Sequence, residues 1–335
     1  MAIEQSSLSM QGGQVLDKFH AVRNYVNRQI IGQQNLVHRL LICLLTNGHL
    51  LVEGPPGLAK TRAVKVLASC IEGDFHRVQF TPDLLPADLT GTEIFKPQEA
   101  RFEFEPGPLF HNLILADEVN RAPAKVQAAL LEAMAERQIT VGKISHPLPP
   151  LFMVMATQNP IEQEGTYPLP EAQLDRFLLH TVVHYPGVEH EQAIVELARQ
   201  EAIQDTVGEH QNLPVLLAQN ELARARREIL NTYMSQALQR YVVELVLSTR
   251  QPEKIGEQFT SWINYGASPR ATIALDTCSR AAAWLAGRDY VTPEDIQELL
   301  PDVLRHRVLM SFEAEADGIS VDRFTQELLQ RVAVP

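Results

Sequence analysis

A glycine-rich run at residues 54–61, GPPGLAKT, constrains the fold of this chain more than any other segment. It follows residues 49–52, of which the last three are apolar and typical of a buried strand, and it precedes apolar residues at helical spacing, namely Val64, Leu67, Ala68 and Ile71. A strand that enters a glycine-rich turn and then a helix directs backbone N–H groups and the positive helix end at one anion. The run therefore predicts a phosphate-binding loop.

Single residues of this loop suit a nucleotide phosphate. Lys60 adds a full positive charge, Thr61 offers a hydroxyl to magnesium, and Gly57 lets the backbone approach closely. Ala59 stands where the strict pattern has glycine, and alanine disfavours left-handed angles, so we expect no positive φ at Ala59. The residues predicted to contact the nucleotide here are Gly54, Pro56, Gly57, Leu58, Ala59, Lys60, Thr61 and Arg62.

The pattern along the chain predicts two domains. Between about residues 45 and 185 short apolar runs alternate with helical patterns, which indicates a largely parallel sheet with helices on its faces. After residue 186 helical patterns dominate. We predict an α/β chain with a polar helical segment at 1–30, a nucleotide domain at 31–186 and a helical lid at 187–335. The candidate strands are 49–52, 75–80, 113–116, 151–157 and 177–183, and the candidate helices of the second domain include 189–204, 220–235 and 242–248.

Two further polar groups follow predicted strands. Asp117 and Glu118 end the apolar run at 113–116, and Asn159 follows the run at 151–157. Because parallel sheets place ligands at the carboxyl ends of their strands, these side chains are expected near the loop. Asp117 would hold the magnesium shell, Glu118 would polarise the water that attacks the γ-phosphate, and Asn159 could orient that water. With the loop, they predict magnesium-dependent hydrolysis of ATP.

Composition limits the partners and the location. The formal charge of −12 disfavours a broad nucleic-acid or anionic-membrane surface. Apolar runs are far shorter than the roughly 20 residues that a membrane span needs, and the first 20 residues do not read as a secretory signal. The three cysteines are widely separated, which fits a reducing cytoplasm.

Four segments together resemble the AAA+ ATPases and, within them, the MoxR family. The likeness runs from about residue 31 to residue 307, and its most specific stretches are GPPGLAKT at 54–61, DEVNRAP at 117–123, EAQLDRF at 171–177 and GASPRA at 266–271. The resemblance implies an AAA+ parallel-sheet domain followed by an all-helical lid. Alanine at the position of Ala59 is common among MoxR-like chains.

The resemblance also implies roles for residues whose own pattern is weak. Asn159 corresponds to sensor 1, Arg176 to the arginine finger lent to a neighbouring subunit, and Arg270 to sensor 2 of the lid. Ile31 and Gly32 look like part of the segment against the adenine. Segments 88–109 and 138–150 look like two inserted hairpins that project toward a pore or a partner.

A finger supplied by a neighbour implies a homo-oligomer, and the family implies six subunits. The family further implies a chaperone-like role in maturing or activating client proteins, often metal-dependent or carrying a von Willebrand A domain.

Three other functions stay open from the sequence. A kinase or GTPase is disfavoured because the Asn-Lys-x-Asp string is absent and Glu118 with Asn159 suits water as the acceptor. A nucleic-acid-remodelling motor is disfavoured by the acidic charge and the lack of an added helix-turn-helix or zinc module. A slowly hydrolysing assembly scaffold remains an alternative, although the presence of both Asp117 and Glu118 favours turnover.

Overall fold

The computed structural model describes residues 2–160, 165–207 and 215–335. The chain divides into two compact units: a sheet unit of residues 17–169 and 181–223, and a helical unit of residues 1–16, 170–180 and 224–335. The strands are β1 (Leu50–Glu53), β2 (Phe75–Gln79), β3 (Gly91–Lys96), β4 (Arg101–Pro106), β5 (Leu113–Asp117), β6 (Gln138–Val141), β7 (Ile144–Pro147), β8 (Met153–Gln158), β9 (Leu179–Val182), β10 (Ile263–Tyr265) and β11 (Leu309–Met310).

Both units contain α-helices, which range from four to 28 residues. The α-helices are α1 (Ala2–Gln29), α2 (Gln34–Leu45), α3 (Lys60–Ser69), α4 (Pro86–Thr90), α5 (Ala124–Glu136), α6 (Glu171–Leu174), α7 (Val188–Val207), α8 (Gln219–Asn231), α9 (Gln236–Arg250), α10 (Glu257–Trp262), α11 (Pro269–Leu285), α12 (Pro293–Leu304), α13 (Phe312–Ala316) and α14 (Val321–Arg331). None of the helices in the described residues is long and apolar enough to cross a membrane.

A five-stranded parallel sheet forms the centre of the sheet unit, in the order β2-β5-β8-β1-β9. The inner strand β5 is fully buried because its residues are apolar up to the last one, as expected for a strand with helices on both faces. The pairing places Gln79 beside Asp117 and Leu115 beside Met155. This architecture confirms the predicted α/β fold, and the five predicted strands lie within two residues of the observed ones at most ends.

Two antiparallel hairpins interrupt the alternation of strands and helices. β3 pairs with β4 from Gly91 opposite Pro106 to Lys96 opposite Arg101, and β6 pairs with β7. Both fall within the segments that the sequence marked as inserted hairpins. Their rings meet where Phe104 of β4 stacks on His146 of β7, with centroids 4.0 Å apart.

The helical unit consists mainly of helices, which agrees with the predicted fold class, and the predicted bounds of the lid at 187–335 stay a prediction. Thr292 is the N-cap of α12, and its backbone N–H donates to the Asp295 carboxylate at 2.8 Å. Two expectations were wrong in detail. α8 ends at Asn231, because Ser235 begins the next helix and accepts a hydrogen bond from Leu238. The unit also contains a short antiparallel pair, β10 with β11, that no local pattern predicted.

Candidate functional site

The loop at residues 54–61 leaves an open concavity in front of α3. Gly57 has a φ of 84°, and a Cβ placed there would meet no atom within 4 Å, so the backbone faces open space. α3 begins at Lys60, so its unpaired N–H groups point into the same concavity. The geometry is that of an anion cradle.

The backbone conformation of Ala59 differs from the one predicted from the sequence. Its φ is 56° and its ψ is 17°, which is the left-handed region. An L-residue with a Cβ is destabilised there by about 1–2 kcal/mol relative to right-handed angles. The prediction of a right-handed Ala59 was wrong because the closure of the loop onto α3, and not the preference of the residue, sets this angle.

An Ala59→Gly variant is expected to stabilise the free protein by about 0.5–1 kcal/mol, because relief of left-handed strain exceeds the extra entropy of glycine in the unfolded chain. Urea denaturation without nucleotide measures this free energy of unfolding. The matched control is Ala128→Gly on the exposed face of right-handed α5, where we expect a loss of about 1 kcal/mol. An equal loss in both variants would contradict the strain at Ala59.

Lys60 is buried at the first position of α3. Its ammonium donates to the Gly54 carbonyl and thereby closes the loop across six residues. Burial lowers the pKa of Lys60, and the negative charges of Asp117, Glu118 and Glu53 act against that lowering. The side chain is thus a desolvated cation, held among carboxylates, at the edge of the anion cradle.

Asp117 stands at the end of β5 with both carboxylate oxygens engaged. Oδ1 accepts a hydrogen bond from Thr157 Oγ1 at 2.6 Å, and Oδ2 accepts from Arg77 Nη2 at 2.6 Å and from Arg77 Nε at 3.1 Å. Thr61 Oγ1 lies 3.5 Å from the same Oδ2. A hydroxyl and a carboxylate are the hard oxygen donors that Mg²⁺ prefers, so this pair fits a magnesium ion.

Glu118 turns sharply out of the strand. Its φ is 56° and its ψ is 51°, and its backbone N–H donates to Thr157 Oγ1 at 2.9 Å. Oε2 accepts hydrogen bonds from Gln79 at 2.8 Å and from Arg121 at 2.9 Å. Left-handed angles in a residue with a carboxylate side chain are uncommon and cluster at functional sites, where surrounding contacts hold them.

One cavity of about 420 Å³ collects these groups within the sheet unit. Its lining brings together the predicted loop residues and the residues predicted at the strand ends. Asn159, which is buried, also faces this cavity. The lining residues are Pro56, Gly57, Leu58, Ala59, Lys60, Thr61, Arg62, Arg77, Gln79, Asp117, Glu118, Thr157 and Asn159.

A second, smaller cavity of about 130 Å³ lies on the other side of the loop, also within the sheet unit. Ile31 and Gln33 form one wall, and Ile194 and Leu197 of α7 form another. Gly32 has a φ of 78°, and a Cβ there would lie 3.3 Å from His190 and Pro186, so a side chain has little room. The predicted adenine segment thus borders an apolar slot next to the loop.

Arg62 lines both cavities, but its guanidinium is committed elsewhere. It donates to the backbone and side-chain oxygens of Gln29 at 3.0 and 2.8 Å and to the Glu201 carboxylate at 2.8 Å. These bonds tie α3 to α1 and α7, which carry walls of the smaller cavity. A structural role for this side chain is clear, and its contact with a nucleotide stays a prediction.

Arg176 and Arg270 belong to the helical unit. Arg176 is half-buried and Arg270 is exposed at the first turn of α11. In the part of the chain that the structure describes, neither guanidinium has an ion-pair partner. Their roles as finger and sensor 2 stay predictions.

The sequence reading missed Arg77, Gln79 and Thr157. Arg77 and Gln79 are alternate residues of β2 and therefore point to the same face. The sequence did show both as polar residues near the end of a candidate strand, which is where a parallel sheet places its ligands. That position became meaningful only once β2 was known to lie beside β5, with Gln79 opposite Asp117.

The chain is similar to known proteins over most of its length. The family model of the ATPase family associated with various cellular activities (AAA) matches residues 49–179, and the AAA lid domain model matches residues 260–330. The chain is 46% identical to Chaperone MoxR1 of Mycobacterium tuberculosis over 92% of this chain and 80% of that protein. It is 34% identical to Protein MoxR of Paracoccus denitrificans over 88% of this chain and 89% of that protein.

A solved structure is also similar: the crystal structure of a Cytophaga hutchinsonii protein assigned as an ATPase superposes with a TM-score of 0.92, at 44% identity over 99% of both chains. A parallel sheet with a phosphate loop after one strand, a paired Asp-Glu at the end of another strand and a helical lid defines the class of AAA+ ATPases. Within that class, the chain belongs to the MoxR family.

Proposed function

We propose that this protein hydrolyses ATP with Mg²⁺ in an oligomer and uses the energy to remodel or activate client proteins. The observation that carries the proposal is the convergence of Lys60, Thr61, Asp117 and Glu118 on one cavity behind an anion-binding loop. Cation, hydroxyl and two carboxylates are the groups that phosphoryl transfer to water requires.

Each residue has a distinct task in this proposal. The loop N–H groups and Lys60 bind the β- and γ-phosphates. Thr61 and Asp117 would hold magnesium, which neutralises developing phosphate charge when bound. Arg77 competes with the metal for Asp117 Oδ2, and Thr157 fixes the other oxygen. Glu118 accepts a proton from water as that water attacks, and Asn159 orients the same water.

The remaining part of the proposal is a shared site. Arg176 of one subunit would approach the γ-phosphate of the next, and Arg270 would respond to the nucleotide as part of the lid. A head-to-tail interface of this kind forms a closed ring or an open helix, and we propose six subunits.

Mixing of two inactive variants tests the shared site. Lys60→Met removes the phosphate cation and Arg176→Ala removes the finger, so each homogeneous protein should lose most of its ATPase activity and keep only a low residual rate. In an equimolar random assembly about a quarter of the interfaces combine an intact Lys60 with an intact Arg176, and we expect ATPase activity to recover toward that fraction.

The matched control for this mixture combines Lys60→Met with the double variant Lys60→Met/Arg176→Ala, in which every interface lacks Lys60. Phosphate release is measured over a range of mixing ratios. If the mixture of the two single variants releases phosphate no faster than this control at any mixing ratio, Arg176 does not act across an interface.

The relative named Chaperone MoxR1 supports the client-directed role. We propose that the protein acts in the cytoplasm. A partner with a metal centre or a von Willebrand A domain is the client class that we propose. The acidic charge of −12 favours a protein client over nucleic acid.

A further inference from the structure

Asp175 connects two distant parts of the helical unit. It directly precedes Arg176 and caps the end of α6, where its backbone N–H donates to Glu171. Its carboxylate points away from that helix. Oδ2 accepts a hydrogen bond from Ser268 Oγ at 2.8 Å, and Oδ1 accepts from Arg307 Nε at 2.7 Å.

Ser268 carries this link to the helix of Arg270. It is the N-cap of α11, and its Oγ accepts a hydrogen bond from the Arg270 backbone N–H at 3.2 Å. One hydroxyl therefore donates to Asp175 and accepts from Arg270. The backbone of Arg270 and the residue before Arg176 are joined through a single side chain.

Arg307 fixes the other side of the Asp175 carboxylate. Its side chain is only 2% exposed, and its Nη atoms donate to the carbonyls of Phe177 at 2.6 Å, Leu178 at 3.1 Å and Val303 at 2.7 Å. Burial lowers the pKa of Arg307, and Asp175 opposes the lowering by its hydrogen bond and charge. Arg307 thus holds the backbone immediately after Arg176, while Asp175 holds the residue immediately before it.

We propose that Asp175, acting through Ser268 and Arg307, is a positioning residue that fixes the backbones of Arg176 and Arg270 relative to each other. The guanidinium groups of both arginines are left without ion-pair partners among the described residues, so they can serve an anion. Cations that are held in a preset geometry before they meet bound nucleotide lose less conformational entropy on binding. The proposal rests on the function proposed above, in which both arginines act on nucleotide.

Ser268→Ala is the main test, because it cuts the link to Asp175 and leaves the Asp175–Arg307 ion pair intact. We expect kcat for ATP to fall roughly tenfold, with KM changed less than about threefold, since a small misplacement of the arginines weakens the transition state more than binding. Ser268→Thr retains the hydroxyl and should restore most of kcat. Asp175→Asn should lower kcat further, by roughly ten- to a hundredfold.

Ser320→Ala is the matched control. Ser320 caps α14 in the same unit and accepts a hydrogen bond from the Arg323 backbone N–H at 3.2 Å, as Ser268 does from Arg270. Each variant loses one helix-cap hydrogen bond, so urea denaturation should show a loss of stability in both. Only Ser268→Ala should lower kcat.

A double-mutant cycle separates positioning from structural damage. In an Arg176→Ala/Arg270→Ala background, Ser268→Ala should have no further effect on kcat, because the residues that it positions are absent. The same loss in both backgrounds, or equal kcat in Ser268→Ala and Ser320→Ala, would overturn the positioning role. If neither Arg176→Ala nor Arg270→Ala lowers kcat, the proposed function of the arginines fails, and the positioning role fails with it.

Discussion

A Glu118→Gln variant is expected to lose about 10²- to 10⁴-fold in kcat while it keeps its affinity for ATP, because the amide cannot accept the proton of the attacking water. The substitution is close to isosteric. Arg121 can still donate to the amide oxygen, and the turn at Glu118 is held by its backbone bond to Thr157. Single-turnover phosphate release and equilibrium nucleotide binding measure the two quantities separately.

The matched control for this prediction is Glu132→Gln, which removes one carboxylate from the exposed face of α5 in the same unit. It should hydrolyse ATP at the unaltered rate. Phosphate release by Glu118→Gln at the rate of this control would remove Glu118 from the general-base role.

The same variant provides a way to look for clients. A protein that binds ATP without hydrolysing it should hold a client in its ATP-bound form, so Glu118→Gln should retain a purified von Willebrand A-domain protein in ATP and release it in ADP. Retention that does not depend on the nucleotide would argue against coupling of hydrolysis to client binding.

Local patterns were sufficient for the sheet and for the carboxylates of the site. The apolar run that becomes β5 is buried on both faces, and Asp117 follows it at the edge where a parallel sheet exposes its carboxyl ends. Both properties depend on consecutive residues, so periodicity alone predicts them.

Contacts between distant residues could not be predicted in this way. Arg77 and Asp117 are 40 residues apart and meet because β2 pairs with β5 in a register that places Gln79 opposite Asp117. Asp175 and Arg307 are separated by 132 residues. Neither arginine stands in a local pattern that distinguishes it from a surface residue.

The φ angle of Ala59 could not be predicted from residue type for a different reason. The preference of alanine for right-handed angles amounts to about 1–2 kcal/mol, which tertiary contacts can exceed. The closure of the loop by Lys60 on the Gly54 carbonyl and the start of α3 fix the angle instead. The conformational preference of alanine therefore did not predict the φ angle of Ala59, because contacts within the loop determine that angle. Such exceptions are expected in functional loops.

A Lys60→Met variant is expected to bind ATP about 10- to 100-fold more weakly, because it loses the charge-assisted hydrogen bonds to phosphate and keeps most of the packing of the side-chain stem. The matched control is Lys65→Met, on the exposed face of the same helix, which should bind ATP normally. Isothermal titration calorimetry measures both affinities. Equal affinity of the two variants would contradict a phosphate contact of Lys60.

Lys60 should also make ATP binding depend on pH in a definite direction. Burial lowers the pKa of Lys60 in the free protein, and a bound triphosphate would raise it, so the complex binds more protons than the free protein between these two pKa values. ATP binding at a pH between these two pKa values should therefore take up a fraction of a proton, and affinity should fall as the pH rises through this interval. Titrations in buffers of different ionisation enthalpy measure the uptake. It should vanish in Lys60→Met and persist in Lys65→Met, whereas uptake that is equal in both variants would assign the proton to another group.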